Sequence, residues 1–449
     1  MQSIRTARRG RGAVILSVVG RLGSCLVVVA LGLLCACAGS SPNTSSRSAI
    51  RIGVDLPLSG AEARAAAPAL FGIRFYVQTH PQIDGLTVEL RTADDAGDPS
   101  LGAANVRAFL TDPRLLAMLG PYDAAVARQE IPVANAAGLA MVSPATSNPC
   151  LTRDVFTPAR LNPGRTAITC KQAGLPGASD LRPDRINNFF RLTTTDDLQG
   201  AAAAEYAVRK LHILRAGVIS DHEAYGQGLA YAFSARFTSM GGTVVGRYEL
   251  DPKNPSASAF LQSAKDAGAQ AIYYGGGTSG GGCGVRGEMS SIFSTGDATP
   301  FLGGDGIAED PACISAAGQN GAGIFATVPI VDADSHPAAA ATIRAFKAAF
   351  GSTADYGPYT IVAYDATAVL YYALNQAIQA AGSGLPERSA VTTRVAMTDG
   401  LAGATGTLGF DSAGDTVNRV VSVFEATSPD PRSAWKAVGA VDYSAKLPY

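Results

Sequence analysis

The sequence predicts an α/β protein with two doubly wound parallel sheets, each covered by helices. Short apolar runs typical of buried strands alternate with amphipathic segments of helical length. This alternation occurs in two series, one before residue 144 and one after residue 188. Even without its first 36 residues the chain is too long for one ordinary hydrophobic core, and its length suits two domains.

The first series supplies the first predicted sheet. Its strands are residues 50–54, 87–92, 116–119 and 140–143, and its helices are residues 66–78, 102–110 and 123–137. Because a helix separates each strand from the next, we expect right-handed crossovers between parallel strands.

The second series repeats the pattern. Its strands are residues 189–192, 216–220, 243–250 and 271–274, and its helices are residues 199–211, 226–240 and 258–267. Residues 150–188, between the two series, are rich in Pro, Gly and charge, which favours an insertion. Later, an apolar stripe from Val362 to Ala377 at helical spacing predicts a helix packed on a sheet.

The N-terminus has the pattern of an export signal. Several arginines precede an apolar stretch over residues 26–34, and a small-residue cleavage site ends at Cys37. This pattern resembles the bacterial lipobox, although Cys35 is an unusual residue at its position; the resemblance implies lipidation of Cys37. We therefore predict a lipoprotein signal peptide over residues 1–36 and a flexible linker over residues 37–48. The alternatives are an ordinary secretory peptide and a retained membrane helix, which Arg21 disfavours.

Charge and cysteine content narrow the function. The chain has 36 basic and 37 acidic residues without a basic stripe, so no nucleic-acid partner is expected. Four cysteines remain outside the signal, which suggests two disulfides in an exported protein. Sequential pairing closes the shortest loops and predicts Cys150 with Cys170 and Cys283 with Cys313. Zinc binding is the alternative, but the chain has no C-x-x-C pair in this region.

Polar residues follow several predicted strands, where open parallel sheets bind their ligands. Asp123 follows strand 116–119, and residues 143–149 form a Ser-Pro-rich loop after strand 140–143. Asp305 lies between glycines after Phe301 and Leu302, and Tyr225 follows strand 216–220. Taken singly, each of these residues also fits an ordinary cap or turn.

Together, these segments resemble the type I periplasmic binding proteins, in particular the branched-chain amino acid (Leu/Ile/Val) receptors of ABC importers. The resemblance rests on IGV (52–54) with PLSG (57–60), DDAGDP (94–99), MVSPATSNP (141–149), YGQG (225–228), YYGG (273–276) and FLGGDG (301–306). It implies two lobes that close on a solute by hinge motion, joined by three crossovers near Thr195, Val328 and Val421. The implied first lobe is residues 49–195 with 330–421, and the second is residues 196–329 with 422–449.

The resemblance also implies a set of ligand-binding residues. These are Asp123, Ala145, Thr146, Ser147, Asp196, Tyr225, Asp305 and Tyr359. The loop from Ala145 to Ser147 would bind through a backbone carbonyl and the Ser147 hydroxyl, and Asp305 would accept from the ligand ammonium.

Three positions depart from the family pattern. Ala124 stands where the family has a carboxylate-binding serine, Ala65 where it has an aromatic residue, and Gly277 where it has a tyrosine. The departures predict a larger pocket and a solute that need not resemble leucine.

Other chemistry is not favoured. Asp94, Asp95 and Asp98 lack the spacing of a calcium hand and are expected to shape a turn. The glycine run 275–284 lacks a following Gly-Lys-Ser/Thr, so it is no phosphate loop; we interpret it as backbone that approaches the solute at a strand end. The four histidines have no accompanying G-x-S-x-G motif. We therefore expect no metal, no cofactor and no enzymatic activity.

The resemblance thus implies a monomeric solute receptor outside the cytoplasm, tethered to the membrane at Cys37. It would deliver an amino acid or an amino-acid-like polar solute to an ABC permease. A signalling receptor of the same fold and an exported hydrolase are the alternatives.

Overall fold

The computed structural model describes residues 49–159, 166–251, 253–293, 299–351, 356–382, 384–431, 435–445 and 447. The predicted signal peptide, Cys37 and the predicted linker lie outside these residues. Among the described residues, no helix has the length and apolar character needed to cross a membrane.

The described part of the chain contains 17 strands and 12 α-helices. The strands are β1 (Ile50–Leu56), β2 (Gln82–Ile83), β3 (Leu86–Asp94), β4 (Leu115–Leu119), β5 (Ala140–Ser143), β6 (Val155–Thr157), β7 (Ile168–Thr169), β8 (Phe189–Arg191), β9 (Arg215–Ser220), β10 (Thr243–Glu249), β11 (Ala271–Gly275), β12 (Phe301–Gly303), β13 (Ile324–Val328), β14 (Leu401–Gly403), β15 (Gly406–Leu408), β16 (Val420–Ala426) and β17 (Trp435–Asp442). The helices are α1 (Ala63–Thr79), α2 (Pro99–Leu110), α3 (Ala124–Asn135), α4 (Ala178–Leu181), α5 (Asp196–Arg209), α6 (Ala224–Ser239), α7 (Ser258–Asp266), α8 (Gly282–Ile292), α9 (Pro311–Ala317), α10 (Ala340–Phe350), α11 (Tyr359–Ala381) and α12 (Arg388–Ala396).

The first sheet has six strands in the order β2-β3-β1-β4-β5-β8. All neighbouring pairs are parallel except β2 and β3. Helices α1, α11 and α12 pack on one face and α2 and α3 on the other. Every residue of β4 is buried, as a strand covered on both sides requires.

The second sheet has seven strands in the order β10-β9-β11-β12-β13-β16-β17. Its first five strands are parallel, and β16 and β17 form an antiparallel edge. Helices α5 and α6 cover one face, and α7, α8 and α9 cover the other. The predicted pair of doubly wound sheets is therefore confirmed.

The chain passes between the sheets three times, and the crossing segments lie side by side. The first crossing joins β8 to α5, the second follows β13, and the third precedes β16. The Thr194 amide donates to the Pro329 carbonyl (2.8 Å), and the Ser422 amide donates to the Ile330 carbonyl (3.2 Å). These bonds join the second crossing to the first and to the third.

Both predicted disulfides are present. Cys150 pairs with Cys170 at the base of the insertion, which also contains β6, β7 and α4. Cys283 pairs with Cys313 and joins α8 to α9.

The predicted helix at Val362 to Ala377 is the centre of α11, which packs on the first sheet as expected. The glycine run 275–284 differs in part from its prediction as a strand-end loop, because α8 begins at Gly282. A Cβ atom at Gly282 would lie 2.3 Å from the Tyr274 ring. Glycine is thus required for close packing of α8, a need that periodicity does not reveal.

Candidate functional site

Asp305 lies at the centre of the candidate site. It follows β12, and its Oδ1 accepts hydrogen bonds from Gln199 Nε2 (2.7 Å) and the Tyr225 hydroxyl (2.6 Å). Its Oδ2 accepts from the Tyr359 hydroxyl (2.5 Å). Gln199 and Tyr225 come from helices of the second sheet, whereas Tyr359 begins α11 on the first sheet. The carboxylate therefore lies where the two lobes meet.

The residues around Asp305 fix its orientation. The Tyr225 hydroxyl accepts from the Gly306 amide (3.0 Å), and Gln199 Nε2 also donates to the Thr327 carbonyl (2.8 Å). A Cβ atom at Gly304 would lie 2.8 Å from the Tyr225 hydroxyl oxygen, so glycine allows the ring to reach the carboxylate. The sequence identified Tyr225, Asp305 and Tyr359, but it gave no signal for Gln199.

Two tyrosines, Tyr225 and Tyr359, donate hydrogen bonds to this carboxylate, and a third, Tyr122, lies within range of its charge. Burial and the nearby Asp305 charge raise the pKa values of Tyr122, Tyr225 and Tyr359 well above the ordinary value. The rings of Tyr122 and Tyr359 meet edge to face, with centroids 5.6 Å apart. The site keeps its hydroxyl protons throughout the physiological pH range.

The loop after β5 is held together by its own hydrogen bonds. Ser143 Oγ accepts from the amides of Ala145 (3.2 Å) and Thr146 (3.0 Å) and from the Thr146 hydroxyl (2.9 Å). The Thr146 hydroxyl is therefore occupied within the loop. Its neighbours in the loop, Ala145 and Ser147, are each 6% exposed.

Arg191 binds the same loop through its guanidinium, and the sequence reasoning did not identify this residue. Its side chain is fully buried, and it donates to the Asn148 carbonyl (2.7 Å), Thr152 Oγ1 (2.5 Å) and Asp415 Oδ1 (2.7 Å). Arg153 Nη2 lies 2.6 Å from the other Asp415 oxygen. The buried ion pair thus links the loop to the segment that precedes the third crossing.

Asp196 is the least satisfied acid near the site. It is 2% exposed, and neither of its carboxylate oxygens has a hydrogen-bond partner among the described residues. Burial raises the pKa of Asp196 to about 7. The nearby Ser147 side chain lowers this pKa, and the negative charge of Asp305 raises it further. The Asp196 amide donates to the Ser147 carbonyl (2.9 Å), which places this acid beside the loop. A ligand cation would satisfy the unpaired carboxylate.

The rim of the first lobe carries Glu62, Asp123 and Arg128. Asp123 Oδ1 caps α3 by accepting from the amides of Ala125 (2.5 Å) and Val126 (3.1 Å). Burial, with the charges of Asp123 and Asp95, raises the pKa of Glu62 to about 7. Arg128 lies half-buried on the same helix and is a residue that the sequence reasoning missed.

The three departures from the family pattern lie on the elements that carry the site. Ala65 is exposed near the start of α1, Ala124 is the first residue of α3, and Gly277 follows β11. A Cβ atom at Gly277 would meet nothing closer than 3.7 Å. A methyl group at Gly277 would therefore make ordinary van der Waals contacts without a clash.

A buried carboxylate cluster lies beneath this rim. Asp55, Asp95 and Glu130 are fully buried, with one oxygen of each within 4.8 Å of the others. Burial raises the pKa of Glu130 well above its ordinary value and those of Asp55 and Asp95 to about 6 and about 7. Asp94 and Asp98 bond to turn and helix amides, as predicted. The interaction between Glu130 and Asp55 raises the pKa of Glu130 and opposes the rise at Asp55, so a protonated Glu130 is the donor of this pair.

A pocket of about 580 Å³ lies away from this site, among α5, α6 and β17. Its buried acid, Glu205, is already paired with Arg209 (2.6 Å) and Arg236 (2.6 Å). Polar groups from both sheets converge on Asp305 and not on this pocket, so the region around Asp305 is the candidate site.

Two sheet-built lobes, three adjoining crossings and a carboxylate between the lobes define a class of hinged binding proteins. The periplasmic binding protein family matches residues 49–431, so the chain belongs to this family.

The known proteins that are similar to this chain in sequence or in fold are also binding proteins. The chain is 28% identical over 381 residues to Leu/Ile/Val-binding protein homolog 3 of Brucella melitensis, covering 84% of this chain and 91% of that protein. Its fold matches a leucine binding protein, LivK, from Thermotoga maritima with a TM-score of 0.69, at 23% identity and with coverage of 87% and 98%. It also matches a solute binding protein of an ABC transporter from R. palustris in complex with 4-hydroxybenzoate, with a TM-score of 0.68, at 18% identity and with coverage of 88% and 97%.

Proposed function

We propose that this protein is an extracytoplasmic solute-binding lipoprotein of an ABC importer. Its solute is an amino acid or an amino-acid-like small polar molecule, bound between the lobes. The observation that carries the proposal is the position of Asp305, a carboxylate between the sheets that accepts hydrogen bonds from both sides. Such a carboxylate favours a ligand ammonium, and the attraction strengthens as closure excludes water.

We infer the binding arrangement from the polar groups around the site. The ligand ammonium lies between Asp305, which accepts three hydrogen bonds, and Asp196, whose carboxylate oxygens both lack partners among the described residues. The Ala145 carbonyl and the Ser147 hydroxyl contact the ligand from the loop, while Thr146 supports the loop from within. Three further residues contact the solute from the walls of the cleft. Asp123 and Tyr359 belong to the first lobe, and Tyr225 belongs to the second.

The organisation of the whole chain completes the proposal. One lobe is residues 49–195 with 330–421, the other is residues 196–329 with 422–449, and the crossings act as the hinge. Lipidated Cys37 tethers the monomer to the membrane, where it delivers its solute to permease subunits. An amino acid is favoured over an aromatic acid, although a similar structure holds 4-hydroxybenzoate, because Asp196, Asp305 and Glu62 disfavour a purely anionic solute.

A thermal-shift screen followed by calorimetry tests this function. We expect an amino acid or amide to raise the melting temperature, since a ligand at one hundred times its Kd adds about 2.7 kcal/mol of stability. Asp305→Asn should then weaken binding at least tenfold, because it removes one charged partner of the ammonium. Asp399→Asn is the matched control on an exposed aspartate.

The outcome also separates the alternatives. An unchanged Kd in Asp305→Asn would remove Asp305 from the site, and a screen in which only aromatic acids bind would exclude the amino-acid assignment. Turnover of an ester or amide to product would instead indicate an exported hydrolase.

A further inference from the structure

Arg128 lies in the second turn of α3, at the edge of the first sheet where the candidate site is built. Residues four apart share a helix face, so Arg128 lies on the face of Ala124. Ala124 offers only a methyl group there, whereas Arg128 carries a positive charge on the same face of the helix.

Charged groups of both lobes act on Arg128. Burial lowers its pKa, while the charges of Asp123 and Glu223 oppose that shift. Asp123 is on the first lobe, and Glu223 is the exposed residue that precedes α6 on the second lobe. The guanidinium therefore lies within electrostatic range of both lobes.

This guanidinium is not committed to a protein partner. Within the described part of the chain it donates no hydrogen bond and forms no ion pair, and Oδ1 of Asp123 is already used to cap α3. Arg191, by contrast, has its donors taken by Asp415, Asn148 and Thr152. A half-buried, uncommitted guanidinium is suited to a planar anion, which it binds with two parallel hydrogen bonds.

The charges around the site restrict the solute further. Asp305, Glu62, Asp123 and Asp310 all act on the Tyr122 hydroxyl, so this region is rich in acid. An acid without an amine would meet this negative charge, and a diamine would leave Arg128 half-buried and unpaired.

We propose that Arg128 binds the carboxylate of a zwitterionic solute whose ammonium lies between Asp196 and Asp305. This inference rests on the proposed solute-binding function and names the charge pattern of the solute. In this arrangement the Arg128 guanidinium holds the carboxylate of the solute.

Calorimetry with four probes tests the inference: leucine, 5-aminovalerate, cadaverine and benzoate. We expect at least one of the two zwitterions to bind more tightly than cadaverine and benzoate. Arg128→Gln should raise the Kd of that zwitterion at least tenfold, Arg128→Lys should recover part of the loss, and any weak binding of cadaverine should not weaken. Arg107→Gln, at an exposed arginine of α2, should leave every Kd unchanged.

Each other outcome overturns the inference in an identifiable way. Zwitterion binding that is lost in Asp305→Asn but unchanged in Arg128→Gln removes Arg128 while the proposed function stands. If Glu223→Gln loses as much zwitterion affinity as Arg128→Gln, Arg128 acts by pairing with the second lobe and does not bind the solute. Tightest binding of cadaverine or benzoate, or no binding of either zwitterion, rejects the zwitterion class.

Discussion

The Tyr359 hydroxyl donates a hydrogen bond of 2.5 Å to Asp305 Oδ2, and these residues belong to different lobes. Tyr359 begins α11 on the first sheet, whereas Asp305 follows β12 of the second. Because the acceptor is a carboxylate, this is one of the stronger types of hydrogen bond. It links the arrangement of the lobes to the centre of the candidate site.

Tyr359→Phe should therefore weaken solute binding. It removes a hydrogen bond to a charged group, a contribution of about 1.5 to 3 kcal/mol, so we expect the Kd to rise roughly tenfold or more. Calorimetry measures the effect, and Tyr372→Phe, at an exposed tyrosine on the same helix, is the control. Equal affinities of Tyr359→Phe and the unmodified protein would show that this bond does not support the bound form.

Solute binding should depend on the ionisation of Asp196. Its pKa is about 7 without ligand, and an adjacent ammonium would lower it, so affinity should rise between pH 6 and pH 8. The charged groups that act on it are Asp305, Asp197 and Arg191. Calorimetry in buffers of different ionisation enthalpy should detect proton release near pH 6. A pH-independent Kd, or the same pH dependence in Asp196→Asn, would contradict this assignment.

Protein stability should fall as the pH rises from 5.5 to 8.5. The pKa values of Asp55 and Asp95 are raised to about 6 and about 7, and that of Glu130 is higher than usual. The folded state then binds more protons than the unfolded state above about pH 4, so each deprotonation costs stability.

Glu130→Gln tests the origin of this decline. The amide supplies a donor to Asp55 that cannot be lost as a proton, so stability at pH 8.5 should increase by about 1 kcal/mol or more, the value of one pKa unit. Urea denaturation at pH 5.5 and pH 8.5 measures the difference, with Glu387→Gln as the exposed control. Identical pH profiles for Glu130→Gln and the unmodified protein would rule out the cluster as the cause.

The buried pair of Arg191 and Asp415 should be essential for stability. Burial favours the neutral form of Asp415, but Arg191 and Arg153 outweigh it and lower its pKa to about 2. Asp415→Asn leaves Arg191 buried without its counter-charge, which costs about 3 to 5 kcal/mol. Urea denaturation at pH 7 measures this cost, and Asp399→Asn is the control. A loss below about 1 kcal/mol would mean that the buried arginine is satisfied by carbonyls alone.

The ion pair of Arg191 and Asp415 also predicts how the stability of the protein falls at low pH. A depressed carboxyl pKa contributes stability above the unfolded value near 3.8, and the contribution disappears as the pH falls toward 2. The acid-unfolding midpoint should therefore shift upward in Asp415→Asn.

The sequence alone determined the order of the main parallel strands and their crossover helices from β1 to β11, together with α11. Buried parallel strands require continuous apolar runs, and crossover helices require a periodic apolar face. The short strands β2, β6 and β7 and the elements around β12 to β17 were not predicted. The sequence also determined both disulfide pairs, through loop length and cysteine count, and the position of Asp305 just beyond an apolar run.

The tertiary structure decided which distant residues meet at the site. Gln199 and Tyr359 lie 106 and 54 positions from Asp305, and Arg191 lies 224 positions from Asp415. Polar side chains on α5, α11 and β8 have no spacing that marks them, since their partners depend on how the two sheets pack and where the crossings run. For the same reason Arg128 and the Asp55, Asp95 and Glu130 cluster became visible only once burial and neighbours were known.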